Sequence, residues 1–214
     1  FLLMGEGLLE TLYMTLMAAA LSYVLGLPLG VILVVTDADG VRPCAPVNRV
    51  LGTIVNALRS VPFLILLFTV IPVTRFVTGT TIGPAATIVP LTIAAAPFIA
   101  RMVEGSLKEV DRGVIEASLS MGASPLQVVW HVLLPEALPS LINGAAIATT
   151  TLLGYSAMAG ICGGGGLGAI AINYGYYRGE TDVMLVMVVI LILVVQAFQF
   201  IGERVMRRTD KRIR

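Results

Sequence analysis

Charge is what this sequence has least of. Lys, Arg, Asp and Glu make up 13% of its 214 residues, about half the share in a soluble domain, which excludes a water-soluble globular fold. Histidine occurs once, at His131, and cysteine twice, at Cys44 and Cys162. Without a Cys-x-x-Cys pair and with a single imidazole, there is no donor set for a zinc site. Both cysteines read as small apolar fillers. A net charge of +1 offers no basic footprint for nucleic acid.

Carboxylates are equally scarce inside the apolar stretches, where only Glu10 lies, near an end. An intramembrane enzyme would need paired carboxylates, a Ser/His pair or metal ligands within its spans. A sensor would need a soluble signalling domain, and the longest polar stretch is too short to hold one. No catalytic residue and no metal ligand is therefore expected. The glycine run Gly163 to Gly168 lacks the Gly-Lys-Ser/Thr ending of a phosphate-binding loop, so the chain is not expected to hydrolyse ATP. No Lys or Arg precedes the first apolar run, unlike the basic start of a cleavable signal peptide. Phe1 is not an initiator Met, so the sequence is expected to begin downstream of the true start or to have been trimmed.

What the sequence does have is apolar length. Apolar residues form 57% of the chain and mean hydropathy is +0.93. Runs of about 20 apolar residues indicate membrane-spanning helices; barrel strands alternate and give a far weaker signal. The expected fold is an all-α integral membrane protein of five spans, at about 8–35, 51–73, 84–100, 137–161 and 183–201. In the first span, Gly26 and Gly30 form a small-xxx-small pair suited to close helix contact, and Pro28 between them equally suggests a kink. Residues 36–48 and 75–83 read as loops from their turn chemistry. Pro90 and Pro97 are expected to bend the third span. Arg59 should lie near an interface or face a polar cavity, because arginine at the bilayer centre costs at least about 2.5 kcal/mol.

Orientation follows from the cations. With the C-terminus inside, 12 of the 14 Lys and Arg residues lie on the inner side, leaving Arg75 and Arg178 outside. That asymmetry obeys the positive-inside rule and puts the N-terminus outside. Cys44 and Cys162 then fall on opposite sides, too far apart for a disulfide. The basic tail from Gly202 to Arg214 would anchor the last span to anionic lipid.

The polar stretch Arg101 to Glu136 holds eight of the 27 charged residues and the only His. It reads as a helical hairpin. Asp111 can cap a helix from Arg112 to Met121, whose apolar side is Val114, Ile115, Leu119 and Met121. Gly122 supplies a stop that needs positive φ. Ser124 caps a new helix, with Pro125 at its first position and Gln127 placed to complete a capping box.

These residues also carry a resemblance. Glu116-Ala117-Ser118, Gly122 and Val132-Leu133-Leu134-Pro135 resemble the loop signature of ABC-importer permeases: Glu-Ala-Ala, three residues, Gly, nine residues, Ile-x-Leu-Pro. Ser118 and Val132 depart conservatively from it. Thr11 to Thr15, Arg59 to Phe63, Ala96 to Glu104, Gly154 to Met158 and Gly163 to Gly168 extend the likeness. In this combination, and with five spans, the chain is similar to the permease subunit of methionine-uptake ABC importers, which are binding-protein-dependent and of type I.

The resemblance implies that residues 1–214 form one ABC-importer transmembrane domain in a bacterial cytoplasmic (inner) membrane. Two copies would bind two cytoplasmic ATPase subunits, which hold ATP and Mg, while this chain binds no cofactor of its own. A methionine-binding lipoprotein would dock outside. The coupling region would be residues 111–127, with Glu116, Ala117, Ser118, Met121, Gly122, Ala123, Ser124 and Pro125 at the ATPase contact. The cargo would be L-methionine, with the D-isomer as a further candidate. The same machine serving another amino acid or glycine betaine is the alternative, and a non-transport membrane sensor or enzyme a distant one.

The fourth span is the most polar, and Thr150, Tyr155, Ser156 and Met158 are its candidates for lining or gating the path. Thr149, Thr150 and Thr151 cannot all face one way at about 100° per residue, so at least one bonds back to its own helix. The Gly163–Gly168 run suits either a flexible or closely packed connection beneath the docked binding protein or a loop of left-handed turns. Trp130 reads as an interfacial anchor and His131 as a surface residue.

Overall fold

The computed structural model describes residues 2–209, and the regular structure among these residues is helical throughout. The first apolar run is one helix, α1 (Leu2–Val35), with Pro28 inside it; it starts earlier than residue 8. The loop that follows is shorter than 36–48, because α2 (Ala45–Ser60) begins at Ala45.

The second expected span is not one helix. It breaks at Val61-Pro62, and α3 (Phe63–Thr69) and α4 (Ile71–Thr78) follow. The proline ring disfavours helical geometry in the residue before it, and Pro62 itself is extended, at ψ 137°. Hydropathy ran unbroken across this stretch and hid the break. Arg59 ends up exposed in the last turn of α2. The turn expected over 75–83 shrinks to its glycine end, since Arg75–Thr78 are helical and Gly79 takes the left-handed cap.

The third span, α5 (Pro84–Lys108), runs on well past residue 100. After the hairpin helices comes α9 (Leu138–Ala159), extended by a 3₁₀ turn at Gly160–Cys162. The short α10 (Gly166–Ile170) leads through a π-helical turn (Ala171–Tyr176) to α11 (Thr181–Thr209). Of the basic tail, Arg204, Arg207 and Arg208 lie on α11; Lys211, Arg212 and Arg214 lie outside the described residues. Among the described residues four helical stretches, Leu3–Val35, Pro84–Lys108, Leu138–Cys162 and Thr181–Thr209, are long and apolar enough to cross a membrane. A fifth is reached if α2 and α3 count as one broken span.

The chain divides into two compact units. One comprises Phe1–Ser22, Val61–Ala95 and Ile147–Phe200; the other Tyr23–Ser60, Ala96–Ala146 and Ile201–Arg214. In the first, Leu167, Ile170 and Met187 form a core joined by Met4 and Leu8. In the second, Leu33, Val55 and Ala100 pack together with Leu29 and Leu51. The second unit also settles the glycine pair. A Cβ on Gly26 would come within 2.8 Å of the Ala96 carbonyl oxygen, and one on Gly30 within 2.6 Å of the Ala100 oxygen. Both glycines let α1 lie directly on the α5 backbone. Gly30→Leu should therefore push the helices apart, at about 1–3 kcal/mol, and lower the unfolding midpoint in detergent by several degrees. An unchanged midpoint would refute the close contact.

Candidate functional site

The hairpin after α5 is built from local devices. The Asp111 carboxylate accepts the Gly113 N–H at 2.7 Å and opens α6 (Arg112–Ser120). The helix closes at Gly122, where φ is +87°. There the Gly122 N–H donates to Leu119 O at 2.9 Å and the Ala123 N–H to Ser118 O at 3.1 Å. These two bonds are the glycine C-cap pairing that satisfies otherwise orphaned carbonyls. Two residues on, Ser124 and Gln127 form a reciprocal capping box. The Gln127 N–H donates to Ser124 Oγ at 3.3 Å and the Ser124 N–H to Gln127 Oε1 at 2.8 Å. Pro125 opens α7 (Pro125–Val128).

The helix then widens into a π turn at Val129–Leu133 before α8 (Leu134–Glu136). Pro135 has no N–H to offer the His131 carbonyl, and the Leu134 N–H reaches back to Val129 O. The π turn was not anticipated; Leu134-Pro135 was its only signal.

No residue of α6 is buried. Met121 is 82% exposed, Leu126 68% and Trp130 62%, with Leu119 and Val114 also exposed. A doubly capped hairpin thus presents apolar side chains outward. Ser118, Met121, Gly122, Ala123, Gln127 and His131 border a shallow cleft on it. The expected coupling residues are therefore brought together on one exposed element.

Ion pairs fix where the hairpin starts. Near the end of α5, the Glu104 carboxylate binds Arg101 at 2.5 Å and Lys108 at 2.9 Å. Lys108 also reaches Asp37 at 2.6 Å, and Arg101 donates to the Gly52 carbonyl of α2 at 3.1 Å. At the first residue of α6, Arg112 pairs with Asp39 at 2.8 Å. The Thr36–Cys44 loop is thereby tied to both sides of Asp111. Sequence reading missed Asp37 and Asp39 as partners, because pairs some 70 residues apart leave no local signal.

The Lys108 ammonium holds the Asp37 carboxyl below the ordinary carboxylate range, and the Ala38 N–H adds to this. A depressed value means that this contribution to stability is present above the unfolded-state pKa and is lost as pH falls through the folded one. Asp37→Asn should thus lower the unfolding midpoint by an amount that is constant from neutral pH to about pH 5 and shrinks below about pH 4. A deficit that persists undiminished in acid would contradict the pairing.

In the other unit, the end of α9 carries the path candidates. Tyr155 stacks on Phe63 of α3, ring centroids 4.7 Å apart and planes 2° from parallel. Ser156 is buried and donates to Leu153 O at 2.8 Å, which turns it into the fold. Thr150 is half-buried and Met158 is exposed. Thr151 bonds back to its own helix, to Ile147 O at 2.9 Å. Ile147, Thr151, Gly154 and Met158 follow one another at helical spacing along the more open side of α9. The four path candidates do not share one face.

The glycine run after α9 is close-packed and turns through left-handed backbone. Gly163, Gly165 and Gly166 have φ of +83°, +80° and +77°, and the flanking glycines are packed without room for a Cβ. Among the described residues no group of three or more His, Cys, Asp or Glu could hold a metal ion.

Comparisons with known proteins bear on all of this. The sequence model of the "Binding-protein-dependent transport system inner membrane component" family matches residues 26–214. The probable D-methionine transport system permease protein MetI of Vibrio cholerae is 53% identical over 203 residues, 95% of this chain and 90% of that one. The D-methionine transport system permease protein MetI of Escherichia coli K12 is 54% identical over 158 residues, 74% of this chain and 73% of that one. Among solved structures, a chain described as "Inward facing conformations of the MetNI methionine ABC transporter" superposes with TM-score 0.97 at 49% identity, covering 99% of this chain and 98% of that one. An amino acid ABC transporter with histidines shares the fold, at TM-score 0.78 and 21% identity over 96% and 94% of the two chains.

Proposed function

The chain belongs to the family of binding-protein-dependent transport system inner membrane components, and from that premise we propose that it is the permease of an ATP-driven methionine importer. The near-complete overlap with the permease chain of a methionine ABC transporter, TM-score 0.97 at 49% identity, carries this reading. The protein lies in the inner membrane, pairs with a second copy of itself and with a separate ATPase subunit, and receives its cargo from a periplasmic binding protein. Methionine, including the D-isomer named for its relatives, passes inward by alternating access.

The finer mechanism is part of the proposal. Residues 1–214 form one transmembrane domain, N-terminus outside and C-terminus inside, as the distribution of Lys and Arg favours. The hairpin at 111–127 then faces the cytoplasm. Its α6, with Glu116, Ala117 and Ser118, and the turn Met121 to Pro125 sit in a groove of the ATPase. ATP and Mg stay in that partner. The caps at both ends support the idea, because a short helix held at each terminus moves as a rigid body. Thr150, Tyr155 and Met158 border the path, while the buried Ser156 is better suited to packing.

Labelled methionine uptake into vesicles holding the permease, its ATPase and its binding protein tests the reading. ATP-dependent accumulation that excess methionine abolishes and excess glycine betaine leaves intact is the expected outcome. No ATP-dependent accumulation of methionine, in vesicles that do accumulate another amino acid or glycine betaine, would assign the cargo elsewhere.

A further inference from the structure

Glu10 is a carboxylate in the N-terminal third of α1, near the start of the first apolar run, and nothing in the transport scheme uses it. Its Oε2 accepts the Gly166 N–H at 2.7 Å. Next to it, Thr11 Oγ1 accepts the Leu167 N–H at 2.9 Å while donating to Gly7 O at 2.8 Å. Two N–H groups that open α10 and have no partner in their own helix are thus satisfied from α1, across 156 residues of sequence.

The surrounding glycines make room for this contact. A Cβ on Gly165 would stand 2.8 Å from Glu10 Oε2, and one on Gly166 2.6 Å from Thr11 Oγ1. Both residues also have positive φ, which only glycine adopts without strain. On its other side the same turn is locked to the end of α9. A Cβ on Gly164 would lie 2.8 Å from the Ala159 carbonyl oxygen, and one on Gly168 would overlap the Ala157 carbonyl. Ala157 lies between Ser156 and Met158 on that last turn. Glu10, the glycine turn and the last turn of α9 are therefore one continuous, close-packed path within this unit.

We propose that Glu10, assisted by Thr11, is a positioning residue for transport: by holding the glycine turn it fixes the last turn of α9, and with it Tyr155 and Met158. This rests on the reading that those two residues border the translocation path. Glu10 acts through its acceptor oxygen, so an amide in its place serves nearly as well and an alkyl group does not. Losing an acceptor bond of this kind shifts the balance between held and released turn by roughly tenfold or more.

The test uses the complete complex of permease, ATPase and binding protein in vesicles, with Met158→Cys in a background carrying Cys44→Ala and Cys162→Ala. Reaction of the single introduced thiol with a water-soluble reagent reports the position of the α9 end. Glu10→Leu is expected to change that labelling rate by about tenfold and to lower methionine uptake to a similar degree. Glu10→Gln should stay within about threefold of the parent in both, because the amide oxygen still accepts. Should Glu10→Leu not assemble, Thr11→Val, which removes the second acceptor at nearly constant volume, is expected to move both readouts in the same direction. Labelling of the introduced thiol that varies with nucleotide yet is indifferent to Glu10→Leu and Thr11→Val would overturn the positioning role alone. No labelling in any state would overturn the path assignment, and this proposal with it.

Discussion

Gly122→Asp is expected to lower methionine uptake per ATP hydrolysed by at least about tenfold, at normal expression and membrane insertion. Two effects act together. The left-handed backbone at φ +87° disfavours any residue with a Cβ, by roughly 1–2 kcal/mol. The new carboxylate would also stand next to the exposed Met121, on a hairpin that exposes Leu126 as well. If an ATPase covers that surface, an unpaired charge is driven out of water, which costs several kcal/mol. Gly122→Ala separates the two effects. A Cβ at this position meets nothing within 4 Å, so alanine carries only the backbone cost. Alanine should retain most uptake and aspartate should not. Full ATP-driven uptake by Gly122→Asp would remove the hairpin from the coupling role.

Glu104→Ala is expected to destabilise the second unit strongly. The Glu104 side chain is only 11% exposed and lies between Arg101 and Lys108. Its removal leaves Arg101 with the Gly52 carbonyl as its remaining acceptor in the network and hands Lys108 to Asp37 alone. Breaking a buried pair from one side typically costs about 3–5 kcal/mol. Because the Lys108 side chain is 46% exposed, part of that is screened by solvent, and about 2–3 kcal/mol is the expected figure. For a chain of this length the unfolding midpoint should fall by about 5–10 °C. Glu104→Gln, which still accepts from Arg101, should fall about half as far. A shift smaller than about 2 °C for the alanine variant would show the cluster to be solvated and energetically idle.

How far the sequence could be read depended on the range of the interactions. Asp111, Gly122, Ser124 and Gln127 were legible because each cap is completed within five residues, and the structure closes all three. The long apolar helices were legible because hydropathy is a local sum. That same sum erased the break at Val61-Pro62, where one proline outweighs its apolar neighbours. Glu10 was noticed as an exception without a partner, since its donor is 156 residues away. Asp37 and Asp39 looked like ordinary turn residues for the same reason. Ser156 was chosen as polar in a polar span, yet its hydroxyl is satisfied by Leu153 and needs no water. Composition marks which residues are polar, and packing decides which of them turn inward.

The central claim, a permease that moves methionine on behalf of an ATPase, is tested most directly by the ATPase rate of the reconstituted complex with its own binding protein. Methionine, added outside with the binding protein, is expected to raise ATP hydrolysis above its basal rate. Stimulation by a different solute, with no response to methionine, would contradict the account.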